Sequence, residues 1–229
     1  MAVEVDHVFI CCSPGAPEAD ALTRLGLREG SPNTHPGQGT ANRRFFFANG
    51  YLELLWVTSP EDACSANTRR TRLWERWSSR TSGACPFGVA FRPKGAHLEP
   101  APFATWTYRP SYLPSGLTIE FADGMSLQEP ELFYLPFARR PSLTRRSSPA
   151  HEPIDHSLPI RTIVGVGVGL PTNTTLSEPS RLAASKTSLN YFTAAQYVLE
   201  LTFSATQDTV FDVRPELPLV FRAVVHHAA

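Results

Sequence analysis

The chain has no excess of charge of either sign: of 229 residues, 21 are Lys or Arg and 21 are Asp or Glu, a formal net charge of zero. That balance gives no overall field to attract nucleic acid or an anionic membrane. No stretch approaches the roughly 20 consecutive apolar residues that cross a bilayer. The start, Met1-Ala2-Val3-Glu4-Val5-Asp6, lacks the basic region and apolar run of an export signal. The expectation is a soluble, cytoplasmic monomer or homodimer whose partner is a small molecule, not nucleic acid or a membrane. Cysteine is scarce as well. Cys11, Cys12, Cys64 and Cys85 include no pair at C-x-x-C spacing, which excludes zinc ribbons and dithiol redox motifs. Small buried thiols in a reducing compartment are expected instead. Two further signatures are missing. Gly165, Gly167 and Gly169 do not complete G-x-G-x-x-G, and Pro171 stands where a phosphate-binding helix would begin. No G-x-S-x-G elbow occurs. His226 and His227, next to the C-terminal end, and His151 and His156, in a polar stretch, are poor ligand candidates.

What is present is a succession of short apolar segments. VEVDHVFICC (3–12) reads as a strand, EADALTRLGL as an amphipathic helix, and the two runs FFF (45–47) and YLELLWV (51–57), flanking Ala48-Asn49-Gly50, as a hairpin. TRRTRLWERWSSR (68–80) predicts a short helix, and PFGVAFR, GLTIEFAD and ELFYLPF predict strands. Residues 139–159 turn to Arg, Ser, Pro and His, the composition of a linker or long surface loop. Beyond them IRTIVGVGVGLP, SEPSRLAASK, QYVLELTFSA, TVFDVRP and LPLVFRAVV read strand, helix, strands again. The repeated order predicts an α+β fold of similar small modules around curved sheets. The predicted divisions are 1–138, with modules near 3–58 and 85–138, the 139–159 crossover, and a further strand-rich module at 160–229 packed on the first region.

Glu53 raises the functional question, because it sits in the middle of an apolar strand. Alternation places it on one face with Tyr51, Leu55 and Val57, and places His7 among Val3, Val5, Phe9 and Cys11. An ionised carboxylate left unpaired in such surroundings costs several kcal/mol, so it is protonated, paired or bound to a cation. A metal ion answers the need, since His nitrogen and Glu oxygen are standard ligands of zinc, manganese, iron and related divalent ions. An ion pair between His7 and Glu53, or a half-exposed strand, answers it as well. The loop from Asn33 to Asn42 sets His35, Thr40 and Asn42 between glycines, which let a backbone turn tightly toward a ligand.

DHVFI, then HPGQGTANRRFFF leading into NGYLELLWV, resembles the glyoxalase-like members of the vicinal oxygen chelate superfamily. The resemblance implies paired βαβββ modules curling into a half-barrel, a curved mixed sheet around a central cleft. It implies a divalent ion (Zn, Mn, Fe or Ni) held by His7 on the first strand and Glu53 on a later one. It also implies that HPGQGTAN lines the cavity. Gly88 stands where the second module would supply a further His, and Glu129, Glu131 and Glu200 are candidates for another carboxylate. Two functions follow. One is a metal-assisted enzyme acting on a small oxygenated substrate, by isomerase, lyase, hydrolase or dioxygenase chemistry, with Glu53 as ligand or as general base. The other is a non-catalytic binding or sequestering protein of the bleomycin-resistance type, with an apolar cleft. Substrate-binding residues are expected at His35, Thr40, Asn42, Phe45, Phe47 and Trp56, with Trp106 and Tyr108 as further walls.

Overall fold

Two mixed sheets form the computed structural model, which describes residues 2–95, 97, 99–140 and 152–225. The expectations for His151, His226, His227 and most of the crossover lie outside the described residues. The first module runs β1 (Val3–Cys11), α1 (Ala19–Leu25), β2 (Asn33–His35), β3 (Thr40–Phe47) and β4 (Gly50–Val57), the βαβββ order. Short helices α2 (Pro60–Ala63) and α3 (Leu73–Ser78) lead to β5 (Phe87–Pro93), β6 (Thr105–Tyr108), β7 (Ile119–Ala122) and β8 (Glu131–Tyr134). These strands make one sheet in the order β2-β3-β4-β1-β5-β8-β7-β6. β1 and β5 pair antiparallel at its centre, each flanked by a parallel partner, β4 and β8. The sheet curls as a half-barrel, and the fold is α+β.

The remaining strands repeat that plan on a smaller scale. β9 (Ile163–Leu170), α4 (Glu178–Lys186), β10 (Leu189–Thr193), β11 (Val198–Ala205), β12 (Thr209–Asp212) and β13 (Leu219–Val225) form a sheet ordered β10-β9-β11-β13-β12. Its antiparallel centre, β9 with β11, again has parallel partners outside it, β10 and β13. The core lies between the sheets, with Phe47 packed on Phe203 and Phe221 at ring separations of 4.8 and 6.5 Å. β2, β6 and β10 were not legible in sequence. All are edge strands with exposed positions, where a ladder on one side holds the strand and apolar alternation is weak.

The hairpin between β3 and β4 is closed by Ala48 and Asn49, since Phe47 pairs with Gly50. Gly50 is needed for close approach, because a Cβ there would lie 2.7 Å from the Asp6 carbonyl oxygen. Asn49 fastens the two sheets together. Its Nδ2 donates to the Ile163 carbonyl and its Oδ1 accepts from the Ile163 amide, both at 2.8 Å. Asn49→Ala strands both backbone groups, and about 2–3 kcal/mol of lost stability is expected in urea denaturation.

A bulge in β1 decides which side chains reach the cleft. The register with β5 shifts between Val5 and His7. Val3 and Val5 face the inter-sheet core before it, Val8, Ile10 and Cys12 face that core after it, and His7 and Phe9 turn to the cleft. Unbroken alternation had put Val3, Val5, His7 and Phe9 on one face; the extra residue reverses the parity. Residues 152–159, the described part of the expected linker, dock on the first module. His156 Nδ1 accepts from the Arg28 amide at 3.1 Å, its Nε2 donates to the Phe46 carbonyl at 2.9 Å, and burial holds the imidazole below its ordinary pKa.

Candidate functional site

Alternation along β4 sends Tyr51, Glu53 and Leu55 to the concave face, and the parallel register sets Tyr51 beside His7 and Glu53 beside Phe9. Phe121, Phe133 and Leu135 close in from the second half of the sheet. The result is a cavity of about 190 Å3, lined also by His35 and Gln38 near the β2–β3 turn and by Tyr112 and Leu113 from the loop after β6. His7 and Glu53 thus share one apolar cavity. The imidazole of His7 stacks on Tyr51, with ring centroids 4.4 Å apart, and meets the edge of Phe133 at 5.5 Å.

Each polar group is held from behind. Asp6 Oδ1 lies 2.7 Å from His7 Nδ1, while Asp6 Oδ2 accepts from Arg92 at 2.7 Å. Burial alone would raise the Asp6 carboxyl, but His7 and Arg92 outweigh it and hold it below the usual carboxylate range. As an ionised acceptor it fixes the proton of His7 on Nδ1, and Nε2 is presented to the cavity. Glu53 Oε1 accepts from Asn42 Nδ2 at 2.8 Å; among the described residues its Oε2 has no hydrogen-bond partner. His35 is occupied at both ends. Its Nε2 accepts from Asn33 Nδ2 at 3.2 Å, and its Nδ1 donates to Thr40 Oγ1 at 2.9 Å. Burial depresses its pKa, and Glu53 only partly offsets that, so the ring is neutral. Burial also raises Tyr51 and Tyr112, which stay protonated.

The expected binding residues divide accordingly. His35 lines the cavity, while Thr40 and Asn42 stand behind it and orient His35, Gln38 and Glu53. The turn they flank depends on Gly39, at φ +75°, where a Cβ would lie 2.3 Å from the Ser59 carbonyl oxygen. Phe45, Phe47 and Trp56 are a correction. Phe45 and Phe47 pair across from Leu52 and Gly50, on the opposite face from Glu53, and are sealed in the inter-sheet core; Trp56 packs against the same core. Trp106 and Tyr108 do not line the cavity either; they lie beside Phe121 on the same face of the sheet, at ring separations of 5.1 and 5.7 Å. Sequence reasoning missed Phe9, Tyr51 and Tyr112 as lining residues. The parity of Glu53 and His7 pointed to the first two, whereas nothing local pointed to Tyr112.

The donor set does not fit a divalent ion. His7 Nε2 and Glu53 Oε2 are available, but His35 has no free nitrogen. A ligand at position 88 is blocked because the Phe9 ring fills that space; a Cβ on Gly88 would lie 2.1 Å from Phe9 Cε1. The candidate carboxylates are engaged elsewhere: Glu131 with Arg76 at 3.3 Å, Glu129 with Ser177, and Glu200 with Arg222 on the second sheet. Among the described residues no three His, Cys, Asp or Glu side chains converge on one point.

A crystal structure of a hypothetical protein from Staphylococcus aureus is similar at 10% identity, covering 99% of this chain and 100% of that one, with a TM-score of 0.49. No curated protein matches the chain. No helix among the described residues is long and apolar enough to cross a membrane. The profile of the glyoxalase-like domain matches residues 5–125, which takes in the first module, β5, and the strands that carry Phe121 and Trp106. With more than half of its length matched, the chain belongs to the glyoxalase-like domain family of the vicinal oxygen chelate superfamily.

Proposed function

We propose that the chain is a small-molecule-binding member of this family, taking one ligand, about the size of a ring with a short side chain, into the cleft of its first sheet. The observation that carries the reading is the cavity. It measures about 190 Å3, has walls of Phe9, Leu55, Phe121 and Phe133, and receives from His7 and Glu53 polar atoms that have no hydrogen-bond partner among the described residues. Apolar walls with a few convergent polar groups are the usual make-up of a ligand site. For scale, an apolar cavity of about 150 Å3 takes up benzene. The buried free thiols of Cys11, Cys12 and Cys85 suit a reducing, cytoplasmic setting. The alternative, an enzyme whose divalent ion polarises substrate oxygens, has two donors where such centres use three or more.

Ligand-observed NMR with a panel of single-ring molecules tests the reading. Saturable one-to-one binding is expected, and Leu113→Trp, which fills the cavity from a partly buried position, is expected to abolish it. A panel without binders, or binders indifferent to Leu113→Trp, removes the proposal. Zinc or manganese at one equivalent is expected to leave Tm unchanged; a rise of several degrees restores the metal-assisted reading.

A further inference from the structure

Resting on the proposal that this cavity takes a ligand, we infer that the ligand is an organic cation: a protonated amine or quaternary ammonium on a small apolar body. Among the described residues Glu53 is the one carboxylate that lines the cavity, and no Lys or Arg lines it. Its Oε1 is held by Asn42, and among the described residues its Oε2 makes no hydrogen bond. Glu53 is 7% exposed, and that residual opening is toward the cavity, so a ligand that fills the cavity takes its second oxygen out of water and must compensate it; a cation does so. The nearby basic groups are already matched. His35 is neutral, and Arg44, whose guanidinium lies 5.8 Å from the centroid of the Tyr51 ring, pairs with Glu152 at 3.9 Å.

The walls select the same sign of charge. Rings carry negative charge on their faces, attract an ammonium within about 6 Å, and repel an anion. Phe9, Phe133, Tyr51 and Tyr112 line the same cavity as the carboxylate.

Three probes of one size separate the possibilities: benzylamine, benzyl alcohol and benzoate, titrated calorimetrically into the whole protein at neutral pH. Benzylamine is expected to bind at least tenfold tighter than benzyl alcohol, with no detectable benzoate binding. In Glu53→Gln, which keeps the shape and the Asn42 contact, the amine should fall to within about twofold of the alcohol measured in the same variant. Alcohol or benzoate binding as tightly as the amine overturns the cation inference and leaves the ligand site standing. Failure of all three to bind, with the protein folded, overturns the ligand site itself. Displacement of the amine by one equivalent of manganese assigns the carboxylate to an inorganic cation, and overturns the inference too.

Discussion

Arg92→Ala is expected to lower the unfolding free energy by about 3–5 kcal/mol, the usual cost of removing one member of a buried ion pair. For a chain of this size that corresponds to about 6–20 °C in Tm. Arg92 is fully buried on β5 and reaches three partners: Asp6 at 2.7 Å, Glu4 at 3.0 Å and the Asn49 carbonyl at 2.7 Å. Its loss leaves the Asp6 carboxylate with only His7. The pH dependence carries a definite sign. Asp6 is held below its ordinary value of 3.8 in the folded protein, so its contribution is complete above that value and is lost as pH falls through the depressed folded value. Without Arg92 the raising effect of burial is less opposed. The difference in stability between wild type and variant is therefore largest at neutral pH and shrinks below about pH 4. Urea denaturation at pH 7 and at pH 3.5 measures this; a difference that is the same at both pH values would show that the lost packing, not the lost charge, is responsible.

The second large effect concerns the position where the family pattern places a histidine. Gly88→His is expected to destabilise by about 3 kcal/mol or more, at the upper end of core overpacking, because even its Cβ lies 2.1 Å from a Phe9 ring atom. Phe9→Ala alone leaves a hole on the cleft side and costs about 3–5 kcal/mol. Combined, the two changes fill and vacate the same space. The double variant is therefore expected to be at least 2 kcal/mol more stable than the sum of the single variants. It also brings a third donor toward His7 and Glu53. Zinc is expected to raise its Tm, by about 2.7 kcal/mol of linkage at a hundredfold excess over Kd, while leaving the wild type unmoved. Additive single effects would mean that Phe9 and position 88 do not compete, and that the departure from the family pattern has another cause.

Much of the site was legible because β4 is regular. Its alternation separates Glu53, Tyr51 and Leu55 from Leu52 and Leu54 without reference to any other part of the chain. The same rule, applied to FFF without its partner strand, does not say which face is the core. Phe45 and Phe47 were accordingly assigned to ligand binding, and the pairing with β4 placed them under the second sheet. Glu131 shows the other kind of limit. As a lone carboxylate on a strand it is a fair ligand candidate, until Arg76, 55 positions away in sequence, engages it.

The order of the longer strands and helices, the α+β class and the face of β4 that carries Tyr51, Glu53 and Leu55 are set by local propensities. Periodicity and turn chemistry act over a few residues and can be read along the chain. The reversal of parity at Asp6–His7 and the burial of Phe9 over Gly88 were decided only by the tertiary structure. Each depends on which residue of a distant strand or loop stands opposite, as Ala90 does to His7 and Gly88 does to Phe9. Cross-strand register is an energetic property of the paired sheet, in which every ladder bond and every buried side chain of both strands has a share. No single segment carries that information, and so the cavity's shape and its unpaired carboxylate oxygen emerge only when the two halves of the sheet close on each other.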